Sequence, residues 1–222
     1  MHLNEYAIAH MKAEWQELQV TRVAGWEEQA LAMEAEQAHL IRSGAWLGGP
    51  VDLLSVIGKA RWETFHSALL AWLLWPTARH GLGSAMLERF LKRCWPGSTY
   101  DPDLLMRCTT STEVSRPNSR ADIVVDGPGL KLVIEVKVDA TEGPAQCERL
   151  HQDHVEDGAL FAFLTPRGRP PTSAGDDISD WATVSFTAVR EDLEHALAMA
   201  CQDGAAVTTA RSYLTTLTKE FR

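Results

Sequence analysis

Hydrophobic and polar positions divide the chain into a helical amino-terminal part, a central part with strand-like runs, and a helical carboxyl-terminal part. Residues 3–43 are rich in Ala, Glu, Gln, Leu and Met, which favours helix. Gly25 predicts a break between two helices, and Gly44 is placed to cap the second. No apolar heptad repeat is sustained enough to require a coiled coil. We expect a helical hairpin that serves packing or forms a dimer face.

Two more helices are predicted before the strand region. Ala60–Pro76 contains a dense apolar run, which predicts a buried helix that ends at Pro76. Ser84–Trp95 predicts a second helix, for which Ser84 is a suitable N-cap. Residues 96–103 are rich in turn-forming types and separate these helices from the strands.

Alternating and β-branched runs predict the strands of the central part. The predicted strands are Leu105–Ser115, Ala121–Val125, Lys131–Val138, Ala159–Pro166 and a short one at Ala182–Phe186. The remaining helices are predicted at residues 142–155, Val189–Cys201 and Ala205–Glu220, with a loop at 167–180. This order predicts an α/β fold that contains a three-strand antiparallel meander, then a helix and a strand, with helical additions at both ends.

The length and composition are those of an ordinary globular protein. The chain has 222 residues, of which 45% are hydrophobic and 23% charged. The longest apolar run, Ala68–Trp75, is far too short to span a membrane, and the start lacks the pattern of a secretory signal. The four cysteines form no CxxC pair, which fits reduced thiols in a cytosol. We expect a cytoplasmic protein without membrane contact, with residues 1–50 as a helical extension and residues 51–222 as the main domain.

The net charge of −9 argues against a protein that coats nucleic acid through a generally basic surface. Only residues 51–100 are locally basic, with six Lys and Arg against three Asp and Glu. A polyanion would therefore have to bind a local patch, or bind through metal ions held by acidic groups.

A charged hairpin stands out within the predicted sheet. Asp122 lies in one β-branched run, and Glu135 and Lys137 lie in the next, with the turn residues 126–129 between the runs. Residues two apart share a face of a strand, so Glu135 and Lys137 point the same way. If Val125 pairs near Leu132, Asp122 lies almost opposite Glu135, with Cβ atoms about 4.5–5.5 Å apart. Two carboxylates and an ammonium then converge on one patch.

Two carboxylates placed opposite each other repel, and a divalent cation removes that conflict. Mg²⁺, or Mn²⁺, accepts one or two carboxylates together with waters and a phosphate oxygen. We therefore expect Asp122 and Glu135 to bind metal, with the carbonyl of Val136 as a further ligand. Lys137 is placed to orient the attacking water or to stabilise charge that develops on a phosphodiester. The alternative is a solvated strand face on which these charges have no catalytic role.

These residues resemble the signature of the PD-(D/E)XK nuclease superfamily. Asp122 is followed after twelve residues by Glu135-Val136-Lys137, although Ala121 stands where the signature has Pro. Gln146 matches the Gln that opens the next helix in many members, whereas Leu150 replaces the Tyr expected four residues later. The resemblance implies a restriction-endonuclease-like core and divalent-metal-dependent hydrolysis of nucleic acid. It also implies that Gln146 supports the site or binds substrate.

An upstream stretch resembles the amino-terminal helix of one bacterial subfamily of these nucleases, which carries an E-x-x-H-S pattern and a later H-G loop. Glu63, His66 and Ser67 match the helix, and His80 with Gly81 matches the loop. Trp75 departs from the Asp expected before the proline. The resemblance covers roughly Glu63 to Pro166 and implies that Glu63 contributes a further carboxylate to the metal. For Glu63 the alternative is a carboxylate that stabilises the helix end.

Several further side chains are candidates for contacts with nucleic acid. Arginines around the central strands suit phosphate contacts, which position a duplex without reading its bases. His66 and His80 are weaker candidates, because a histidine beside an apolar run is more often part of the core. The arginines are Arg107, Arg116 and Arg120. His151 and His154 lie three residues apart, but no cysteine pair accompanies them as in a structural zinc site.

The function predicted from the sequence is a metal-dependent nuclease, with DNA favoured over RNA, that acts in phage defence or mobile-element biology. The alternative is a catalytically silent subunit that keeps the nuclease fold and serves interaction or sensing in a larger assembly. A protein partner, or a second copy of the chain, would dock through the helical amino-terminal region. The sequence contains no phosphate-binding glycine loop of a nucleotide-driven motor.

Overall fold

A computed structural model describes residues 5–45, 49, 51–200 and 204–221. The chain divides into two units, Met1–Gly49 and Pro50–Arg222. Each unit is described by itself below.

The first unit consists of one long helix, α1, which covers Glu5–Arg42. The predicted break at Gly25 is wrong, because the helix runs through this residue. A glycine costs a helix only about 1 kcal/mol, and the strong helix formers on both sides outweigh that cost. Gly44 ends the helix as expected: its φ is +71°, and its N–H and that of Ala45 donate to the carbonyls of Ile41 and Leu40. No described side chain of α1 is buried.

The second unit is built on a five-stranded mixed sheet whose strands lie in the order β1-β2-β3-β4-β5. The first three strands form an antiparallel meander, and β4 and β5 continue the sheet in parallel to β3. The strands are β1 Thr109–Ser115, β2 Arg120–Gly127, β3 Leu130–Val136, β4 Leu160–Thr165 and β5 Trp181–Ser185.

Seven α-helices accompany the sheet in the described part of the second unit. They are α2 Leu53–Val56, α3 Glu63–Leu74, α4 Ala85–Cys94, α5 Pro102–Leu105, α6 Gln146–His154, α7 Phe186–Met199 and α8 Ala205–Glu220. Short 3-10 turns cover Val155–Asp157 and Gly175–Asp180. The predicted first strand began too early, because Asp101 caps α5 through a bond from the N–H of Asp103 and so directs Pro102–Leu105 into a helix. Among the described residues, each helix is too short or too polar to cross a membrane.

The helices cover the two faces of the sheet unequally. On one face, apolar residues of α3, α4, α7 and α8 form the larger core with alternate residues of β2 and β3, such as Ile123 and Ile134. On the other face, α6 and its neighbours pack over the intervening residues, including Val124 and Val133. The alternation of strand side chains between faces produces this division. The predicted α/β fold, with a three-strand antiparallel meander followed by a helix and a strand, is confirmed.

Candidate functional site

The β2–β3 hairpin sets the positions of the charged residues. Pro128 and Gly129 form its two-residue turn, in which Gly129 adopts a φ of +71°. Val125 pairs with Leu132, as predicted, and the same register continues through Ile123 and Ile134. The ladder ends at this last pair, and the next residues along the two strands, Asp122 and Glu135, both lie on the face covered by α6.

Glu135 is the most buried member of the cluster, with 0% of its surface exposed. Its Oε1 atom accepts hydrogen bonds from Lys137 Nζ at 2.6 Å and from the side-chain amide of Gln146. Its Oε2 atom is buried and has no hydrogen-bond partner among the described residues. Because a buried carboxylate oxygen without a donor is costly, this atom is placed to bind something that the protein itself does not supply.

Asp122 is half-buried and fixed by the neighbouring strand. Its Oδ2 atom accepts a hydrogen bond from the backbone N–H of Val136 at 2.8 Å. Within the described part of the chain, hydrogen bonds reach only this one carboxylate oxygen. The bond replaces a ladder contact at the point where β3 ends, and it orients the carboxylate beside Glu135.

Glu63 joins the cluster from the first residue of α3. Its Oε1 atom accepts hydrogen bonds from the N–H groups of Val138, at 2.8 Å, and Ala140, at 3.2 Å. Its Oε2 atom lies 3.7 Å from Lys137 Nζ. A carboxylate at a helix amino terminus is favoured by the helix dipole, so Glu63 both stabilises α3 and ties it to the segment after β3.

The charges in this cluster do not balance. Asp122, Glu135 and Glu63 surround the single ammonium of Lys137, so the cluster carries two excess negative charges once all three carboxylates are ionised. Burial, together with repulsion from Asp122, raises the pKa of Glu135 to about 8, and burial is also the main cause that raises the pKa of Asp122. Burial acts to lower the pKa of Lys137, but its attraction to the carboxylates outweighs burial and raises that pKa. A divalent cation would neutralise the excess.

The donor set therefore suits a hard divalent ion, because it offers carboxylate oxygens and one unpartnered buried oxygen. Asp122, Glu135 and Glu63 do not form a group in which one oxygen of each lies within 4.8 Å of the other two. Among the described residues, the group of three ligands whose atoms all lie within 4.8 Å of one another is His151, Asp177 and Asp180. In that group the two ring nitrogens of His151 already face Asp177, at 3.2 Å, and Asp180, at 2.9 Å.

His66 and His80 are both fully buried, with 0% of their surface exposed. His66 Nε2 lies 2.8 Å from the carbonyl oxygen of Ala60, and its Nδ1 lies 3.0 Å from the hydroxyl of Tyr213. His80 bonds the carbonyl of Trp75 and the N–H of Leu82. Burial lowers the pKa of both imidazoles. The structure thus places these histidines in the core and not in a surface that contacts nucleic acid.

The three arginines proposed for phosphate contacts occupy different places. Arg120 is exposed, shares a strand face with Asp122, and forms a 2.8 Å ion pair with Glu113. Arg116 pairs with Asp157 at 2.8 Å, at the end of β1. Arg107 is exposed in the turn before β1, at the opposite end of the sheet from Asp122. Of the three, Arg120 is therefore the one that shares a strand face with Asp122.

Strained backbone flanks the site on two sides. In the described part of the chain, the non-glycine residues with positive φ are Glu113, at 55°, and Ala145, at 49°. Glu113 falls between the β1 residues that pair with Ala121 and Ile123, and Ala145 directly precedes Gln146. Strain of this kind concentrates at functional sites. The positive φ of these two residues could not be predicted from the sequence, because the residue types are ordinary and only the conformation is unusual.

The structure brings Asp122, Glu135, Lys137, Gln146 and Glu63 together at one end of β2 and β3. Their individual roles stay predictions at this point. The carbonyl of Val136 lies 3.3 Å from Lys137 Nζ, so it faces the same cluster.

Comparison with known proteins gives one match. The family model for the PD-(D/E)XK nuclease superfamily matches residues 51–215, which is more than half of the chain. This match confirms the resemblance found in the sequence and extends it beyond the signature residues in both directions. No curated protein and no solved structure matches the chain.

Proposed function

Because the chain belongs to the PD-(D/E)XK nuclease superfamily, we propose that it hydrolyses phosphodiester bonds of DNA with the help of Mg²⁺ or Mn²⁺. The observation that carries the proposal is the buried Oε2 atom of Glu135, which has no partner within a cluster of three carboxylates around one ammonium. A purely structural ion pair would match one carboxylate to the ammonium and would not place two further carboxylates beside it.

In this proposal Asp122 and Glu135 hold the divalent ion, with the carbonyl of Val136 and the carboxylate of Glu63 as further ligands. When bound, the ion polarises the phosphodiester and lowers the pKa of a bound water. Gln146 contributes by holding Glu135 Oε1 from the start of α6, so that Oε2 points into the site.

Lys137 has a different role from the carboxylates. Its ammonium stays charged near neutral pH, since attraction to Glu135, Asp122 and Glu63 outweighs the effect of burial on its pKa. A charged ammonium is a poor general base. We therefore assign it to stabilising the negative charge that develops on the phosphate oxygens.

The finer features of the proposal follow from the family. DNA is proposed over RNA because DNA substrates are commoner in the superfamily. We place the enzyme in the cytoplasm and in phage defence or mobile-element biology, where many small bacterial nucleases of this type act. Residues 1–50 are proposed as an extension that docks a protein partner or a second copy. The second candidate, a catalytically silent subunit of the same fold, predicts no hydrolysis under any condition.

The test is cleavage of supercoiled plasmid, linear duplex, single-stranded DNA and RNA in Mg²⁺, Mn²⁺ or EDTA. Asp122→Ala and Lys137→Ala are compared with Asp126→Ala, which removes an exposed carboxylate from the other end of β2. We expect metal-dependent cutting of DNA that is lost in the first two variants and kept in the third. Absence of cutting by the folded wild-type protein, or cutting that survives Asp122→Ala, would contradict the proposal.

A further inference from the structure

An exposed tryptophan lies directly before the metal-site carboxylate on α3. Trp62 is the N-cap of this helix, and Glu63 is its first residue. Although its ring is large and apolar, 54% of Trp62 is exposed. The ammonium of Lys59 lies over the ring, 2.9 Å from its centroid, and Phe65 meets the ring edge-on. More than half of the surface of Trp62 therefore remains exposed to solvent beside Lys59 and Phe65.

The turn that carries Trp62 is held firmly against the site. The N–H of Trp62 donates to the carbonyl of Lys59 at 3.1 Å, and buried His66 holds the carbonyl of Ala60 at 2.8 Å. Arg61 Nε donates to Asp139 Oδ2 at 2.8 Å, and Asp139 follows β3 just beyond Lys137. These bonds fix the turn that carries Trp62 relative to the end of β3. They also give His66 a structural role, because it supports a surface group without being exposed itself.

The charge of this turn suits a polyanion. Lys59 has no carboxylate partner among the described residues, so its positive charge is not neutralised by the protein. The ammonium of Lys59 lies over the indole of Trp62, and part of Trp62 remains exposed beside it. Together the two side chains form a surface that is both cationic and aromatic. Proteins bind single-stranded nucleic acid with this combination, since the aromatic ring stacks on a base and the cation attracts the backbone.

We infer that Trp62 and Lys59 form a stacking subsite for an unpaired nucleobase next to the scissile phosphate, so that the substrate is single-stranded or locally unpaired DNA. The inference rests on the proposed function and deepens it by naming the substrate class. A base within a blunt duplex is stacked on both sides and cannot use the ring unless it is first extruded. The subsite therefore favours strands with unpaired nucleotides over fully paired ones.

Direct binding tests this subsite without any hydrolysis. The probes are a fluorescently labelled single-stranded oligonucleotide and a blunt duplex, measured by anisotropy in Ca²⁺ in place of Mg²⁺. Stacking is worth roughly 1–3 kcal/mol per base, so we expect Trp62→Ala to weaken single-strand binding by about 5- to 150-fold. Trp62→Phe keeps an aromatic face and is expected to stay within about threefold of wild type.

Trp75 supplies a matched control. It caps the other end of α3, is 39% exposed, and lies about 20 Å away along the helix axis. Trp75→Ala is expected to leave single-strand affinity unchanged, and no variant is expected to change duplex affinity by more than about twofold. Lys59→Gln should lower the slope of log affinity against log salt by about 0.7, the amount for one phosphate contact on a single strand.

The outcomes separate this inference from the proposed function. Equal effects of Trp62→Ala and Trp75→Ala, an equal loss of duplex binding, or no single-strand binding by the wild type would overturn the subsite, even if the enzyme cuts DNA. A selective loss in Trp62→Ala, with unchanged thermal unfolding, would support it even if no cleavage is detected. If the exposed ring of Trp62 instead docks a protein partner, Trp62→Ala and Trp75→Ala should affect single-strand binding equally, and this outcome would overturn the subsite.

Discussion

Glu135 and Glu142 are two buried carboxylates near the end of the same strand, and they have opposite properties. The Glu135 side chain is 0% exposed and that of Glu142 is 3% exposed. Nevertheless, the pKa of Glu135 is raised to about 8, whereas that of Glu142 is lowered to about 2. Burial acts to raise both values, so the difference must come from the partners of each group.

Glu142 is satisfied at both oxygens. It accepts bonds from the N–H and hydroxyl groups of Thr172 and Ser173, and it pairs with Arg169. The hydroxyl of Ser173 in turn accepts the N–H of Cys147, in the first turn of α6. Through these hydrogen bonds, Glu142 links the loop after β4 to the start of α6, the helix that carries Gln146. Its bonds outweigh the burial penalty on its charged form.

Glu135 has one oxygen bonded, the other unpartnered, and a second carboxylate opposite it. The comparison shows that burial alone does not distinguish a structural carboxylate from a functional one. The distinction lies in whether the protein completes the coordination of the buried charge or leaves it incomplete. The predictions below test this distinction, in order of decreasing effect.

The largest expected effect is on catalysis. Glu135→Gln should lower the rate of DNA cleavage by at least about 1,000-fold, since it removes a negatively charged ligand from the metal site. Glu142→Gln is isosteric too, but it should keep the rate within about tenfold at a temperature where it is folded. Initial rates of plasmid cleavage measure both. Similar losses of cleavage rate in Glu135→Gln and Glu142→Gln would contradict the distinction between a functional and a structural carboxylate.

The next effect is on stability. Because the pKa of Glu142 falls from 4.5 unfolded to about 2 folded, its ionised form contributes on the order of 3 kcal/mol at neutral pH. This contribution is present above pH 4.5 and is lost as pH falls towards 2. Urea unfolding should show Glu142→Gln destabilised by that amount at pH 7 and by much less at pH 3. If the difference in unfolding free energy between wild type and Glu142→Gln does not change with pH, Glu142 does not stabilise the fold as a hydrogen-bonded carboxylate.

For Glu135 the contribution to stability changes with pH in the opposite direction. Its folded pKa of about 8 exceeds the unfolded 4.5, so the metal-free protein loses stability as pH rises from 4.5 through 8. In EDTA at pH 9, Glu135→Gln should therefore be more stable than wild type, with the difference vanishing near pH 4.5. Thermal or urea unfolding across this range provides the check. A destabilised Glu135→Gln at pH 9 would mean that the wild-type carboxylate is already satisfied.

The smallest effect concerns the strained backbone beside the open cluster. Glycine adopts a φ of +55° without steric cost, so Glu113→Gly should be about 0.5–1 kcal/mol more stable than Glu113→Ala, which keeps the strain and also removes the carboxylate. Comparing these two variants cancels the loss of the ion pair with Arg120. Urea unfolding of both measures the difference, and equal stabilities would argue against strain at this position.

Much of the fold and the centre of the site could be predicted from local pattern. The β2–β3 register follows from the short turn and the period of two, which together bring Asp122 and Glu135 to the same end and the same face of the hairpin. The final helix was predicted at its observed bounds, Ala205–Glu220, because its apolar spacing is regular. Such features depend on residues close in sequence.

Features that depend on distant residues could not be predicted. Nothing near Glu142 indicates that residues of the loop at 172–173 will enclose it. The contact of Glu63 with the N–H groups after β3 joins residues far apart in the chain. Likewise, the burial of His66 depends on Tyr213, which lies near the other end of the sequence. In each case the partner, and not the residue type, decides the role.

Calorimetric titration of Mn²⁺ into the metal-free protein at pH 8.5 tests the central claim most directly. Wild type, Glu135→Gln, Glu142→Gln and His151→Ala would be compared, the last because His151 belongs to the other possible ligand group. The account predicts one ion per chain in the wild type, lost in Glu135→Gln and kept in Glu142→Gln and His151→Ala. Binding that survives Glu135→Gln but is lost in His151→Ala would contradict it and place the metal beside Asp177 and Asp180.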